Sequence, residues 1–254
     1  MKLRFKSSLR SVRDFIGTRL MPTGSGFGLN RNDREGALHR AWGLIFTNQI
    51  RGAYYEFGVY RGDSFRTSHR VYQAYSSWQQ GQLTSDEDWR QVVAKDYSTF
   101  RHEFYAFDSF TGLPDNDEGN VIFGSRTFAC SLEEFDKLNR EQGIIQGNGV
   151  TYFEGYFDET SRRDVDAIKE LQPAAIVNLD CDLYVSAVDA LAIIKPKLLQ
   201  GTILLADDWN TFSADRNAGE RKAVAEFLIE NPNIKFEPWF QYFYAGQAFL
   251  VHVD

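Results

Sequence analysis

The chain has 254 residues, 43% of them hydrophobic and 25% charged, which fits one large α/β domain with an appended arm or lid. Its formal net charge of -7 excludes an electrostatically driven nucleic-acid binder and points to a small or neutral partner. No apolar run reaches membrane-spanning length, and Cys130 and Cys181 show none of the spacings of a zinc site or disulfide framework, which fits a reducing, cytoplasmic setting.

Residues 1–21 carry Lys2, Arg4, Lys6, Arg10, Arg13 and Arg19 among scattered apolar residues, without the continuous apolar run of a signal peptide. We read 1–50 as an N-terminal arm, helical around 34–48, that packs on its own subunit and is a candidate homo-oligomer contact. Contact with an anionic membrane surface is the competing reading. The first strand is expected over 52–59, followed by the turn Tyr60-Arg61-Gly62-Asp63-Ser64 and a helix to about Tyr75. Residues 76–97 are polar and read as a surface insertion. A second strand, 103–107, ends at Asp108-Ser109-Phe110, where Gly112-Leu113-Pro114 forces a turn. The loop 115–128 is rich in Gly, Asn and Asp. Ser131 then caps a helix with Glu134 at the reciprocal capping-box position, and 111–148 reads as a lid over a site.

The third strand, 150–154, runs into Gly155-Tyr156-Phe157-Asp158, and a helix is expected over 162–171. A fourth strand, Ala-Ala-Ile-Val-Asn-Leu, ends at Asp180. An Ala/Leu/Ile-rich helix over 184–199 leads to a fifth strand, which ends at Asp207-Asp208. A helix over 216–230 and strands around 234–239 and 247–251, joined near Tyr244 to Gly246, complete a mostly parallel sheet with one antiparallel strand.

Carboxylates at strand ends carry the chemistry. Strand, helix, strand from Ala174 to Asp208 is a right-handed crossover, so both acidic clusters emerge at one edge of the sheet. Neighbouring strands lie only about 4.8 Å apart, so Asp180, Asp207 and Asp208 converge where an open α/β sheet binds its ligands. A hard divalent cation suits three such carboxylates. If the strand stays extended, alternation puts Asp182 on the same side as Asp180.

The turn Glu56-Phe57-Gly58-Val59-Tyr60-Arg61-Gly62 is not a dinucleotide fingerprint, since the third glycine is missing and an acid precedes the first. Glu56 with Gly58 and Gly62 instead favours a cofactor carrying ammonium and sulfonium charges, S-adenosylmethionine, and Tyr60 and Ser64 of the same turn are candidate contacts to it. Asp108 and Ser109 end the second strand where a carboxylate meets a ribose diol, and Phe157 and Asp158 are placed to hold an adenine. His39, His69, His102 and His252 occupy no motif. Tyr184 and Trp209 stand close to the acidic clusters, either as sugar-stacking faces or as core.

Glu56-Phe-Gly-Val-Tyr-Arg-Gly62, Phe107-Asp-Ser-Phe-Thr-Gly-Leu-Pro114, Ser131-Leu-Glu-Glu134, Gly155-Tyr-Phe157, Leu179-Asp-Cys-Asp-Leu-Tyr184 and Asp207-Asp208 follow one another in the order of a known family. From about Arg51 onward the chain resembles the macrocin O-methyltransferases, class I S-adenosylmethionine- and magnesium-dependent enzymes that methylate sugar hydroxyls of glycosylated natural products. The resemblance implies a Rossmann-like methyltransferase domain over 51–254 and a glycoside or other small-molecule acceptor. It makes Asp180, Asp207 and Asp208 metal ligands, gives Asp180 a share in cofactor binding and catalysis, and makes Asp182 the base. Asp63, Thr111 and Trp209 depart from the family pattern without touching the metal ligands.

Two other readings compete. Asp180-Cys181-Asp182 is also the Asp-x-Asp by which glycosyltransferases hold a metal and a nucleotide sugar, but this leaves Glu56 and Asp207-Asp208 unexplained. A non-catalytic binding module leaves at least four strand-end carboxylates without a purpose.

Overall fold

The computed structural model describes residues 33–84, 88–118 and 122–254. The basic segment 1–21, part of the arm expected as an oligomer contact, lies outside the described residues. One seven-stranded sheet has the order β3-β2-β1-β4-β5-β7-β6. Its strands are β1 (Ala53–Phe57), β2 (Phe104–Asp108), β3 (Val150–Glu154), β4 (Ala174–Leu179), β5 (Leu198–Ala206), β6 (Ile234–Tyr242) and β7 (Gly246–Val253). The first five are parallel, and β7 runs antiparallel to both neighbours, as the short turn between β6 and β7 requires.

The helices are α1 (Asp33–Asn48), α2 (Asp63–Gln82), α3 (Asp88–Tyr97), α4 (Leu132–Arg140), α5 (Phe157–Arg163), α6 (Val165–Glu170), α7 (Tyr184–Ile194) and α8 (Gly219–Glu230). They cover both sheet faces, so β1 and β4 are buried at every position and are apolar apart from Glu56 and Asn178.

A row of aromatic side chains fixes the register just below the functional edge. Phe57, Phe107 and Phe153 pair across β1, β2 and β3, with ring centroids 4.7 Å and 4.4 Å apart. Each such pair stabilises by about 0.5–1.5 kcal/mol beyond its buried area. On the other side Phe57 is level with Leu179, and Leu179 with Ala206. The next residues are therefore also level: Gly58, Asp108, Asp180 and Asp207 all leave the sheet at one height.

Three expected elements differ. Residues 76–97 form no surface insertion: α2 runs on to Gln82, and α3 buries Ala94 and Tyr97 against the core. Polar helix formers in this stretch disguise a helix held by one face. Pro196 ends α7 early, and β5 begins at Leu198, inside the stretch expected as helix. The expected helix 162–171 is two short helices, broken where Asp164 leaves helical geometry. Within the expected lid, Gly112 to Asp115, Ile122, Phe123 and Phe128 line the site, whereas α4 belongs to the core through Phe135, packed on Phe65, Phe110 and Tyr152. The α1 helix is also core, since Ala37, Leu38, Ala41, Trp42 and Ile45 are buried.

Candidate active site

Beyond the carboxyl ends of β1, β2, β4 and β5 opens a cavity of about 930 Å³. Asp180 and Asp207 are placed by the ladder itself. The Asp180 amide donates to Phe57 O at 2.9 Å, and the Asp207 amide to Leu179 O at 2.9 Å. Asp208 is held by its own amide, which donates to Glu220 Oε2 at 3.1 Å. One oxygen each from Asp180, Asp207 and Asp208 lies within 4.8 Å of the others. The three aspartates expected to converge are brought together.

Asp182 lines the same cavity, by a different route from the one expected. The strand ends at Leu179, and Asp182 adopts φ 61, so strand alternation does not apply; a left-handed turn swings its carboxyl back toward the cluster. Burial, then the charges of Asp208 and Asp180, push the Asp182 carboxyl up to about 10. Burial, then the charge of Asp180, raises Asp208 as well. Glu220, 1% exposed, is a fourth neighbour that sequence reasoning missed; burial and then Asp208 raise its carboxyl. The only signal for it is an acid in the first turn of α8, close in sequence to Asp207-Asp208.

Arg34 was also missed. It projects from the first turn of α1, makes an ion pair with Asp207 Oδ2 through Nη2, and lies 3.9 Å from Asp180 Oδ2 through Nη1. No local pattern marks it, because its partners are more than a hundred residues away in the chain.

The glycine turn is built as follows. Gly58 has φ 83, and a Cβ there would stand 1.9 Å from Asp180 O, so only glycine lets β1 and β4 deliver their residues side by side. Asp108 braces the turn: its Oδ2 accepts from the amides of Val59 at 2.8 Å and Tyr60 at 3.0 Å, and its Oδ1 from that of Phe110 at 2.7 Å. Much of its acceptor capacity therefore serves the loops, although it faces the cavity. Ser109 also lines the cavity while its hydroxyl donates to Gly112 O at 2.7 Å.

Two expected cofactor contacts do not line the cavity. Glu56 is fully buried beneath the turn, on the face of β1 shared with Tyr54, and its carboxylate accepts from Ser64 Oγ at 2.5 Å and from the Tyr54 hydroxyl. Burial lifts its carboxyl to about 8. Gly62 serves packing instead: at φ 77 it opens α2, and a Cβ would meet the Phe135 ring at 2.6 Å.

Tyr60, Ser64, Phe157 and Asp158 do line the cavity. Phe157 packs edge-on to Phe57 at 5.5 Å, and Asp158 pairs with Arg162 at 2.9 Å. Tyr60, Phe128, Phe123 and Phe212 form a continuous aromatic wall at the mouth, with successive centroids 5.8, 6.2 and 5.6 Å apart. Tyr184 and Trp209 do not reach it. Lys222 covers Tyr184, whose hydroxyl donates to Glu226, while Trp209 packs on Phe249 and Arg221. His39 faces Glu35 and Tyr75, away from the cavity.

Among solved structures, the O-methyltransferase NovP is similar at 19% identity, covering 86% of this chain and 79% of its own, with TM-score 0.59. The calicheamicin methyltransferase CalS11 is similar at 15% identity, covering 98% and 94%, with TM-score 0.59. An O-methyltransferase from Bacillus cereus in complex with SAH aligns at 9% identity over 100% and 92%, with TM-score 0.50. These likenesses establish the class I methyltransferase fold. No curated protein matches the chain in sequence. The sequence profile of the family described as macrocin-O-methyltransferase (TylF) matches residues 90–238, more than half of the chain. With that match, and with acidic strand ends gathered at the ligand edge of this fold, the chain belongs to the macrocin-O-methyltransferase family and is an S-adenosylmethionine-dependent O-methyltransferase.

Proposed function

We propose that the protein methylates a sugar hydroxyl of a glycosylated natural product, with magnesium held by Asp180, Asp207 and Asp208. The observation that carries this reading is the convergence of those carboxylates within 4.8 Å, in the cavity that Asp182 also lines. The donor set fits a hard divalent cation: all ligands are carboxylate oxygens, and Asp207 Oδ1 and Asp208 Oδ2 are buried without a hydrogen-bond partner. Held by Asp180, Asp207 and Asp208, a magnesium ion would supply Lewis acidity to lower the pKa of an acceptor hydroxyl. CalS11, described as a TDP-rhamnose 3'-O-methyltransferase, supports the sugar as acceptor class.

The chain's own residues divide the remaining work. Gly58, Tyr60, Ser64, Asp108, Ser109, Phe157 and Asp158 seat the cofactor along the carboxyl edge of β1, β2 and β3, and Glu56 supports that seat through Ser64. Asp180 stands between cofactor and acceptor. A cation on the cluster would offset the charges of Asp208 and Asp180 that help to hold the Asp182 carboxyl neutral; Asp182 would then ionise and receive the acceptor proton, and its left-handed backbone turns that carboxylate toward the cavity. The aromatic wall of Tyr60, Phe123, Phe128 and Phe212 excludes water and offers flat faces to a sugar ring or its aglycone.

Thermal shift with S-adenosylhomocysteine and with nucleotide sugars, each with and without magnesium, tests the reading. We expect S-adenosylhomocysteine to raise Tm and the nucleotide sugars not to; the reverse result overturns it. Turnover of a glycoside acceptor is expected to vanish in a strong chelator and return with magnesium. Full turnover in rigorously metal-free protein would remove the metal from the reaction.

A further inference from the structure

We propose that Arg34 is a tethered counter-cation of the carboxylate cluster that exchanges with the divalent metal for Asp180 and Asp207. The inference rests on the metal reading above and adds a residue that the reading does not need. The guanidinium pairs through Nη2 with Asp207 Oδ2 and lies 3.9 Å from Asp180 Oδ2 through Nη1. The same two residues, with Asp208, offer the three oxygens that lie within 4.8 Å of one another. A divalent ion takes such oxygens at about 2.1 Å, so the guanidinium and the ion need the same lone pairs on Asp207. Two cations held that close in a crevice of low dielectric also repel each other.

The exchange has a reason and a path. Asp207 is 3% exposed, and without a cation its charge shares one cavity with the carboxyls of Asp180 and Asp208. Arg34 neutralises part of that charge and keeps the ligands assembled before metal arrives. Its departure asks for no helix movement. The α1 helix is anchored by one buried face that begins at Ala37, whereas the Arg34 side chain is 40% exposed. Its guanidinium already lies 5.7 Å from the Phe243 ring centroid, in the β6–β7 turn, an aromatic face against which it can stay after release. A rotamer change therefore moves the charge out while the helix stays docked. Metal then binds only the fraction of molecules with Arg34 out, which lowers its apparent affinity by that fraction.

The test titrates Mn2+, followed by electron paramagnetic resonance of the free ion, into the wild-type protein, Arg34→Gln and Arg34→Met, with circular dichroism to confirm folding. Arg34→Met keeps an unbranched apolar stem in case the amide disturbs the first turn of α1. Both variants are expected to bind Mn2+ about tenfold or more tightly than wild type, the competitor having been removed. Equal Mn2+ affinity in all three proteins overturns the exchange and leaves the metal site standing. Weaker binding in the variants also overturns it, because Arg34 would then support the ion. If none of the three binds Mn2+, the metal reading fails and the exchange with it.

Discussion

Asp180 and Asp182 are two residues apart but reach the cavity by different means, and this separates their proposed roles. Asp180 extends the β4 ladder through its amide, so its position is as rigid as the sheet. Asp182 follows a left-handed turn, at φ 61, on which an L-residue other than Gly, Asn or Asp is strained. Asp182→Asn keeps the shape and the turn but removes the proton acceptor. Methyl transfer in single-turnover assays at saturating magnesium is expected to fall by about 10²–10⁴, with cofactor and metal affinity nearly intact. Asp180→Asn is expected to weaken metal binding together with the rate. Rescue of Asp182→Asn to near wild-type turnover by added magnesium would instead place Asp182 among the metal-site residues.

At the scale of elements, the site depends on how closely β1 and β4 approach, and glycine substitutions measure that. A Cβ at Gly58 would lie 1.9 Å from Asp180 O, while one at Gly143, in the turn after α4, meets nothing within 4 Å. Both have positive φ, 83 and 76 respectively. Gly143→Ala is therefore expected to cost only the left-handed strain, about 1 kcal/mol, whereas Gly58→Ala adds a clash with backbone and is expected to cost about 3 kcal/mol or more by chemical denaturation. Similar losses for the two would mean that the β1–β4 contact is not the constraint. Such contacts also mark the limit of what the sequence discloses. The strands were legible because β1, β4 and the last residues of β5 are mostly apolar and buried on both faces, and the acidic ends because carboxylates follow that pattern. The side of the sheet on which Glu56 falls was not legible, since a strand buried on both faces has no polar alternation to orient it. Gly58 and Gly62 look alike in the motif, yet one faces Asp180 and the other Phe135. Arg34 and Glu220 reach the cluster across tertiary contacts, and nothing local in α1 or α8 announces their partners.

Across the whole molecule the two edges of the parallel sheet are built on opposite principles. The carboxyl edge gathers charge around an open cavity, whereas the amino edge is closed by a dry aromatic cluster centred on His102. That ring, 2% exposed, is surrounded by Trp42, Phe46, Tyr72, Tyr97 and Phe100, with centroids 4.9–5.7 Å away. Its Nδ1 meets Gly52 O, and its Nε2 lies 2.8 Å from the Tyr97 hydroxyl, which also reaches Ile50 O at 2.7 Å. The α1 helix spans both edges, with Arg34 at one and Trp42 and Phe46 at the other. Burial lowers the His102 pKa from 6.5 to about 4, so between those values the unfolded chain binds a proton that the folded chain refuses. More protons bound in the unfolded state means that stability rises with pH. The contribution is intact above about pH 6.5 and is lost as pH falls toward 4, where it amounts to about 3 kcal/mol. His102→Gln keeps a donor for Gly52 O but does not titrate in this range. Denaturation at a series of pH values is expected to show wild type losing about 3 kcal/mol more than His102→Gln between pH 6.5 and 4. Parallel curves would mean that His102 accepts its proton without leaving the fold. The variant sits at the edge of the sheet opposite the carboxylates, so its affinity for S-adenosylhomocysteine at neutral pH is expected to match wild type.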